Sequence, residues 1–169
     1  HLPRQNEANP RAMTQVWRIV KEKYAESASS REAFNGEGAR RAGGRFNSPG
    51  RPALYTSGSL ALAQLEILVN LPTDRLLASY VAFRARIPGR HVEALSREEL
   101  PENWREAPAP RAARKIGDRW LASGRSLALR VPSAVVPAED NLLINPEHPA
   151  IGEMKTEGPL NPEIDDRLQ

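Results

Sequence analysis

Residues 53–70 read ALYTSGSLALAQLEILVN and predict a strand that leads directly into a helix. Residues 53–56 combine apolar, aromatic and β-branched side chains, which is typical of a short strand. The Ser-Gly-Ser sequence that follows supplies N-cap oxygens, and we expect a helix from Leu60 to Asn70 that ends before Pro72. Because nearly every side chain of this helix is apolar, we expect it to be buried on all sides.

Short strands and a second helix extend this pattern in both directions. The expected strands are Val16 to Val20, Leu76 to Ile87, Leu127 to Val131, Asn141 to Ile144 and an edge strand within residues 153–169. Arg111 to Ser123 is the second expected helix, with Gly124 at its C′ position. We expect residues 21–50 to form a long loop with one helical turn near Ala33. Together these elements predict a single α+β domain, a mixed β-sheet core with flanking helices rather than a doubly wound sheet.

The composition and length are those of one ordinary globular domain. The chain has 169 residues, of which 40% are hydrophobic and 27% charged, a balance that argues against disorder. It contains no cysteine, which excludes disulfides and a thiolate nucleophile. We interpret residues 1–12 as an N-terminal extension or as residues left by cloning, and residues 13–169 as the domain. Because no apolar run approaches about 18 residues and no signal-peptide pattern is present, we expect a cytoplasmic protein without a membrane segment.

The charge of the chain indicates an anionic partner without identifying it. The net charge is +3 and the sequence pI is about 9.6, which suits a nucleic acid, a phosphate-bearing substrate or an acidic protein. Basic residues form two clusters along the sequence: Arg40, Arg41, Arg45 and Arg51, and then Arg111, Arg114, Lys115 and Arg119. Such clusters are usually solvated faces, and an aromatic content of 5% gives no stacking platform for single strands. Because the net charge is positive, a basic nucleic-acid-binding module stays an alternative.

Glu66 is the only ionisable residue between Leu60 and Val69. A lone carboxylate in a buried helix costs several kcal/mol unless it is paired or neutralised. Two interpretations follow from this position. Glu66 either forms a structural ion pair with one of the many arginines, or points into a cleft to act on a substrate.

The sequence Gly43-Gly44-Arg45 also has two interpretations. Paired glycines mark an ordinary turn, but they also permit a close approach of the backbone to a ligand, where Arg45 would offer its planar fork to a phosphate. Other kinds of site lack their motifs, since the chain has no Walker sequence, no dinucleotide fingerprint and no nucleophile elbow. The three histidines have no ligand spacing, so we expect no metal site.

The order of several motifs along the chain resembles the RES-domain family, which is named for an arginine, a glutamate and a serine. The motifs are WRI at residues 17–19, GEGARRAGGRFN at 36–47, ALYTS at 53–57, LAQLE at 62–66, VPS at 131–133, NLLINPEHP at 141–149 and DDRL at 165–168. The resemblance covers Val16 to Leu168. The family usually has Trp where this chain has Phe46, and the spacing between Arg18 and Gly36 is somewhat long for the family.

The resemblance implies the toxin of a bacterial type II toxin–antitoxin system, with a fold similar to that of the ADP-ribosyltransferases related to diphtheria toxin. Such toxins consume NAD by hydrolysis, phosphorolysis or ADP-ribosyl transfer and arrest growth, so NAD is expected as a substrate and no cofactor is expected. The implied partner is an antitoxin with an Xre-like helix-turn-helix region that blocks the cleft, and DNA would be contacted only through that antitoxin. An interaction domain that keeps the fold without activity is the second alternative.

Carried over by position, the resemblance places five residues at the NAD cleft: Arg18, Arg45, Tyr55, Glu66 and Ser133. The expected catalytic residues are Glu66, Arg45 and Tyr55. Glu66 is expected to hydrogen-bond a ribose hydroxyl and to stabilise the positive charge that develops on the ribose. Arg18 and Arg45 are expected to hold the pyrophosphate. Tyr55 is expected to stack on the nicotinamide ring, and Ser133 to hydrogen-bond the ribose or the nicotinamide.

Overall fold

The computed structural model describes residues 12–22, 32–71 and 80–168. Within these ranges seven strands form one mixed sheet: β1 Met13–Lys21, β2 Leu54–Ser57, β3 Tyr80–Pro88, β4 Val92–Ala94, β5 Ala128–Pro132, β6 Asp140–Ile144 and β7 Lys155–Leu160. The α-helices of the same ranges are α1 Glu37–Ala42, α2 Leu60–Leu68 and α3 Arg111–Ser123. The expected fold class, α+β with a mixed sheet and flanking helices, is confirmed.

The sheet is divided by a weakly paired position near its middle. The strand order is β4-β5-β6-β2-β1-β3-β7, and neighbours are antiparallel except for the parallel pair of β4 and β5. β1 pairs with β3 along its whole length, from Met13↔Pro88 to Lys21↔Tyr80. In the described structure β1 pairs with β2 only at Trp17↔Ser57. Few backbone contacts therefore join the two parts of the sheet at this position, and the cleft described below lies beside it.

Apolar side chains cover both faces of the sheet at β6. Leu142, Leu143 and Ile144 are fully buried and consecutive, so neighbours along the strand point to opposite faces and both faces are covered. On one face Ile144 belongs to a cluster with Phe83. On the other face Leu143 belongs to a cluster through which Trp120 of α3 packs on the sheet. The strand expected at residues 141–144 is thus a central strand of the core.

α2 begins where the sequence predicts, but it is less buried than predicted. Its N-cap is Ser59, whose side chain accepts a hydrogen bond from the Leu62 amide at 3.1 Å. Leu62 and Ala63 are buried, whereas Leu65 is 39% exposed and Val69 is 59% exposed. The expectation of a helix buried on all sides was wrong. An apolar composition does not by itself supply a second layer of structure to cover the outer face of a helix.

The remaining predicted elements are confirmed to within a few residues. α3 ends at Ser123, and Gly124 follows it in a left-handed conformation with a φ of 59°. The edge strand expected in the C-terminal region is β7, which forms one edge of the sheet. Residues 76–79 of the third expected strand lie outside the described residues.

One α-helix and one strand of the described ranges were not predicted. α1 lies within the expected loop of residues 21–50, where the frequent glycines favoured the prediction of a loop. The helix has six residues, and its Glu37 forms ion pairs with Arg40 and Arg41. β4 has only three residues, too few for an alternating pattern to be recognised. Residues 23–31 of the expected loop lie outside the described residues, and a 3-10 turn at Glu32–Phe34 matches the helical turn expected near Ala33.

α3 fixes the loop that carries Arg45. The Asp118 carboxylate accepts hydrogen bonds from the backbone amide of Ser48 at 2.8 Å and from its hydroxyl at 2.6 Å. One residue earlier, Gly117 lies so close to the loop that a Cβ atom there would be 1.6 Å from the carbonyl oxygen of Phe46. The helix and the loop can therefore approach each other only because residue 117 has no side chain.

We predict that Gly117→Ala destabilises the fold by about 3 kcal/mol or more, since the added methyl group forces the helix away from the loop. The control is Gly38→Ala in α1, where a Cβ atom would have no neighbour within 4 Å. That substitution should be neutral or stabilising by up to about 1 kcal/mol, because alanine is the better helix former. Urea unfolding monitored by circular dichroism measures both changes. Equal stabilities of the two variants would contradict the packing described here.

Candidate active site

A cleft of about 990 Å³ opens beside the weak junction between β1 and β2. Its walls come from both strands, from α2, from the loop after α1 and from two later segments around residues 105–107 and 134–135. The residues with functional groups in its lining include Arg18, Arg45, Tyr55, Glu66, Arg105 and Asn141. Four of the five residues predicted from the sequence thus line one cleft, and Ser133 does not.

The Glu66 carboxylate is held by two neutral donors. Its Oε1 atom accepts a hydrogen bond from Ser133 Oγ at 2.7 Å and another from Asn141 Nδ2 at 2.6 Å. Within the described part of the chain no arginine forms an ion pair with Glu66, and its Oε2 atom accepts no hydrogen bond. This geometry favours the second interpretation of Glu66, a carboxylate that faces a cleft rather than one half of a structural ion pair.

Ser133 lies behind Glu66, not on the surface of the cleft. Its side chain is fully buried, and its Oγ atom also accepts hydrogen bonds from the backbone amides of Val135 at 3.1 Å and Val136 at 3.0 Å. The Ser133 hydroxyl therefore donates its proton to Glu66 and accepts from two backbone amides. No hydrogen-bonding capacity of this hydroxyl remains for a ligand in the cleft. The expected hydrogen bond from Ser133 to ribose or nicotinamide is corrected to an indirect role, the positioning of the carboxylate.

Asn141 is a site residue to which the sequence analysis gave no role. It begins the NLLI run of β6 and lies opposite Ser57 in the register of β2 and β6. Because an ionised carboxylate only accepts hydrogen bonds, the contact with Glu66 fixes which end of the amide is the nitrogen. Asn141 Oδ1 is then buried without a hydrogen-bond partner among the described residues. A polar residue at the start of an otherwise apolar central strand was the available signal.

Tyr55 fastens the loop of residues 43–47 to β2. Its hydroxyl accepts a hydrogen bond from the Phe46 amide at 3.0 Å and donates one to Asn47 Oδ1 at 2.7 Å. A Cβ atom at residue 44 would lie 2.4 Å from the Tyr55 oxygen, so glycine is required there by the approach of the ring. Gly43 has a φ of 71°, which suits a turn. The two interpretations of this sequence are therefore compatible, since a tight turn directs Arg45 into the cleft.

The two predicted arginines are anchored by backbone carbonyls. Arg45 Nη1 donates to the carbonyl oxygens of Trp104 at 2.6 Å and Glu106 at 2.9 Å. Arg18 donates from Nε to Ala33 O at 2.8 Å and from Nη1 to Tyr55 O at 3.1 Å. Burial lowers the pKa of both guanidinium groups, and for Arg45 the attraction of Glu66 partly opposes this lowering of the pKa. Arg18 is the more enclosed of the two, and its hydrogen bond to Tyr55 O links β1 to β2 near their single paired position.

Within the described ranges, no group of three or more His, Asp or Glu side chains is placed to hold a metal ion. The helices of the same ranges are all too short or too polar to cross a membrane.

The fold is similar to that of a solved protein chain. A solved structure of the MbcT–MbcA toxin–antitoxin complex of M. tuberculosis has a similar chain, with a TM-score of 0.70 over 90% of this chain and 86% of that one. The sequence identity of 18% limits this likeness to the fold. The chain belongs to the RES domain family, whose profile matches residues 15–165.

Curated relatives cover most of the chain. A protein named Toxin Res from Yersinia enterocolitica is 37% identical over 155 residues, which are 91% of this chain and 99% of that protein. A second Toxin Res, from Photorhabdus laumondii, is 39% identical over 78% of this chain and 81% of its own. The Prs ADP-ribosylating toxin of a Sphingobium strain is 36% identical over 80% of this chain and 84% of its own. The resemblance of the motifs to the RES domain is thereby confirmed.

We predict that Tyr55 limits the stability of the protein at alkaline pH. Burial raises the pKa of its phenol above the ordinary value of 10.0, and the hydrogen bond from the Phe46 amide lowers the pKa by a smaller amount. The stabilisation by the neutral phenol is complete below the ordinary tyrosine pKa. It is lost as the pH rises above that value, because the unfolded chain then releases the proton more readily than the folded one.

Tyr55→Phe should remove this alkaline decline in the free energy of unfolding. It should also cost about 1–3 kcal/mol at neutral pH, since the Phe46 amide and Asn47 lose their partner. Urea unfolding from pH 7 to pH 11 measures both effects. Tyr80→Phe, which leaves the loop of residues 43–47 untouched, is the control. An identical pH profile for Tyr55→Phe and the unsubstituted protein would show that Tyr55 does not govern this decline.

Proposed function

We propose that this protein is the cytoplasmic toxin of a bacterial type II toxin–antitoxin system, which arrests growth by breaking the bond between nicotinamide and ribose in NAD. The observation that carries the proposal is the Glu66 carboxylate, which faces a cleft lined by arginines and is held there by Ser133 and Asn141. The names of the relatives, among them an ADP-ribosylating toxin, support the same class of reaction.

The proposed chemistry uses the free side of the carboxylate. As the bond between C1′ and the nicotinamide nitrogen breaks, its electron pair leaves with nicotinamide and positive charge develops on the ribose ring. Glu66 Oε2 is free to accept a hydrogen bond from a ribose hydroxyl, and the negative charge stabilises the ribose cation more than it stabilises intact NAD. Water, phosphate or a protein group then donates an electron pair to C1′ and completes hydrolysis, phosphorolysis or ADP-ribosyl transfer.

The remaining cleft residues bind the rest of the substrate. Arg45 has Nε and Nη2 free of hydrogen bonds to described residues, so it can donate to a phosphate while Nη1 stays on the backbone. The Tyr55 hydroxyl is committed to the loop of residues 43–47, but its ring lines the cleft and can stack on nicotinamide. Arg18 supports the same anionic group from the junction between β1 and β2.

We predict that Glu66→Gln keeps the fold and lowers kcat for NAD cleavage by about a hundredfold or more. The fold should persist because the amide oxygen of glutamine can still accept the hydrogen bonds of Ser133 and Asn141, while the negative charge is gone. Product analysis of NAD incubated with purified protein measures the rate, and circular dichroism checks the fold.

The matched control is Glu93→Gln. The Glu93 carboxylate also accepts a hydrogen bond from a serine hydroxyl, Ser126 Oγ at 3.2 Å, but Glu93 does not line the cleft. This variant should cleave NAD at the rate of the unsubstituted protein. A folded Glu66→Gln protein that also keeps the full rate would refute the proposed role of Glu66, and an unsubstituted protein that leaves NAD intact would refute the proposed reaction.

The proposed partner is an Xre-type helix-turn-helix antitoxin that closes the cleft. The similar M. tuberculosis chain comes from a toxin–antitoxin complex. The arginines of the cleft favour a partner segment that presents a carboxylate or a chain terminus near Arg18 and Arg45. DNA would then be bound by the antitoxin and not by this chain.

We predict that the complex copurified with its antitoxin consumes NAD at least about tenfold more slowly than the free protein, because the cleft is occupied. Removal of the antitoxin segment that enters the cleft should restore the rate, and removal of its DNA-binding region should not. NAD consumption by the three preparations is the measurement. A complex that consumes NAD as fast as the free protein would show that inhibition does not involve the cleft.

A further inference from the structure

A third arginine of the cleft, Arg105, is placed by the same contacts that anchor Arg45. Arg45 Nη1 donates to the carbonyl oxygens of Trp104 and Glu106, the residues on either side of Arg105. Arg45 therefore fixes the peptide segment from which the Arg105 side chain extends. Arg105 lines the cleft, and its Nε atom donates to Ala134 O at 3.1 Å, next to the serine that positions Glu66. The side chain thus spans two walls of the cleft.

The guanidinium groups of Arg45 and Arg105 line the same cleft. Within the described ranges neither Arg45 nor Arg105 forms an ion pair, and the hydrogen bonds that they donate there go to backbone carbonyls. The Glu106 carboxylate accepts a hydrogen bond from Asn103 at 3.0 Å, and Glu66 is held by neutral donors. Burial lowers the pKa of Arg45 most, the negative charges of Glu66 and Tyr55 raise this pKa, and repulsion by Arg105 lowers it by the smallest amount. Two neighbouring cations with free N–H groups are stabilised by an anion placed between them.

We propose that Arg45 and Arg105 form a two-arginine clamp for the phosphate that is attached to the ribose on which Glu66 acts. The clamp makes the site select 5′-phosphorylated nicotinamide ribosides over the unphosphorylated riboside. This inference rests on the proposed function for the identity of the riboside. In NAD the C5′ atom links this phosphate to the ribose ring, and Glu66, Arg45 and Arg105 line one cleft. A ribose bound at Glu66 therefore carries its 5′-phosphate inside the cleft that the two arginines line.

The test compares two substrates that differ only in this phosphate, nicotinamide mononucleotide and nicotinamide riboside. The unsubstituted protein should prefer the mononucleotide in kcat/KM, and Arg105→Ala should reduce that preference by about tenfold, the effect of one lost charge-assisted contact at a partly exposed site. The loss should appear mainly in KM. Arg105→Lys should restore part of the preference, since an ammonium group keeps the charge but not the planar fork.

Arg97→Ala is the matched control. Arg97 is an exposed arginine that also donates to a backbone carbonyl, that of Pro137, but it does not line the cleft. Its removal should leave the preference between the two substrates unchanged. An Arg105→Ala protein that cleaves NAD and keeps the full preference for the mononucleotide would overturn the clamp.

Calorimetry with inorganic pyrophosphate separates the clamp from the proposed reaction, because it needs no turnover. The unsubstituted protein should bind pyrophosphate about tenfold more tightly than Arg105→Ala does. If this difference is found in a protein that leaves NAD intact, the clamp stands and the proposed NAD cleavage fails. If the unsubstituted protein does not bind pyrophosphate, or binds it as tightly without Arg105, the clamp fails whatever the activity toward NAD.

Discussion

The candidate site depends on the register of β6 between β2 and β5. This register places Asn141 opposite Ser57 on one side and opposite Val131 on the other. Only two residues separate the end of β2 from the start of α2, so the same register brings Asn141 beside Glu66. Side chains alternate between the faces of a strand, and a slip of one residue would turn Asn141 to the opposite face and leave Glu66 with one donor fewer. The fully buried run of Leu142, Leu143 and Ile144 opposes such a slip, because it is fixed in the core on both faces.

The way in which Glu66 is held distinguishes this site from an ordinary surface ion pair. A guanidinium partner would neutralise the carboxylate and occupy it, whereas a hydroxyl and an amide orient the group and leave its negative charge in place. The arginines of the cleft are instead anchored by carbonyl oxygens. Positive and negative groups thus remain separate in one cleft, which suits a substrate that carries a phosphate at one position and develops positive charge at another.

The sequence predicted the elements and residues whose signals are local. α2 and its cap follow from residues 57–70, and Glu66 is conspicuous as the only charge in an apolar helix. The extent of burial of α2 was not predictable, because it depends on which elements cover the outer face. Asn141 and Arg105 were missed for the same reason: their roles arise from contacts with residues 75 and 29 positions away. The buried position of Ser133 also follows from tertiary contacts, since a serine after proline in the sequence is typical of a turn.

The edges of the sheet affect how the protein behaves at high concentration. Exposed edge strands can pair with the edge of another molecule and begin aggregation. β7, at one edge, contains Pro159, which has no N–H group to donate, and its exposed positions include the charged residues Lys155 and Glu157. β4, at the other edge, is only three residues long. Both edges are therefore poor templates for another strand. A sheet with two such edges resists pairing with other molecules and so resists aggregation when the concentration of the protein is high.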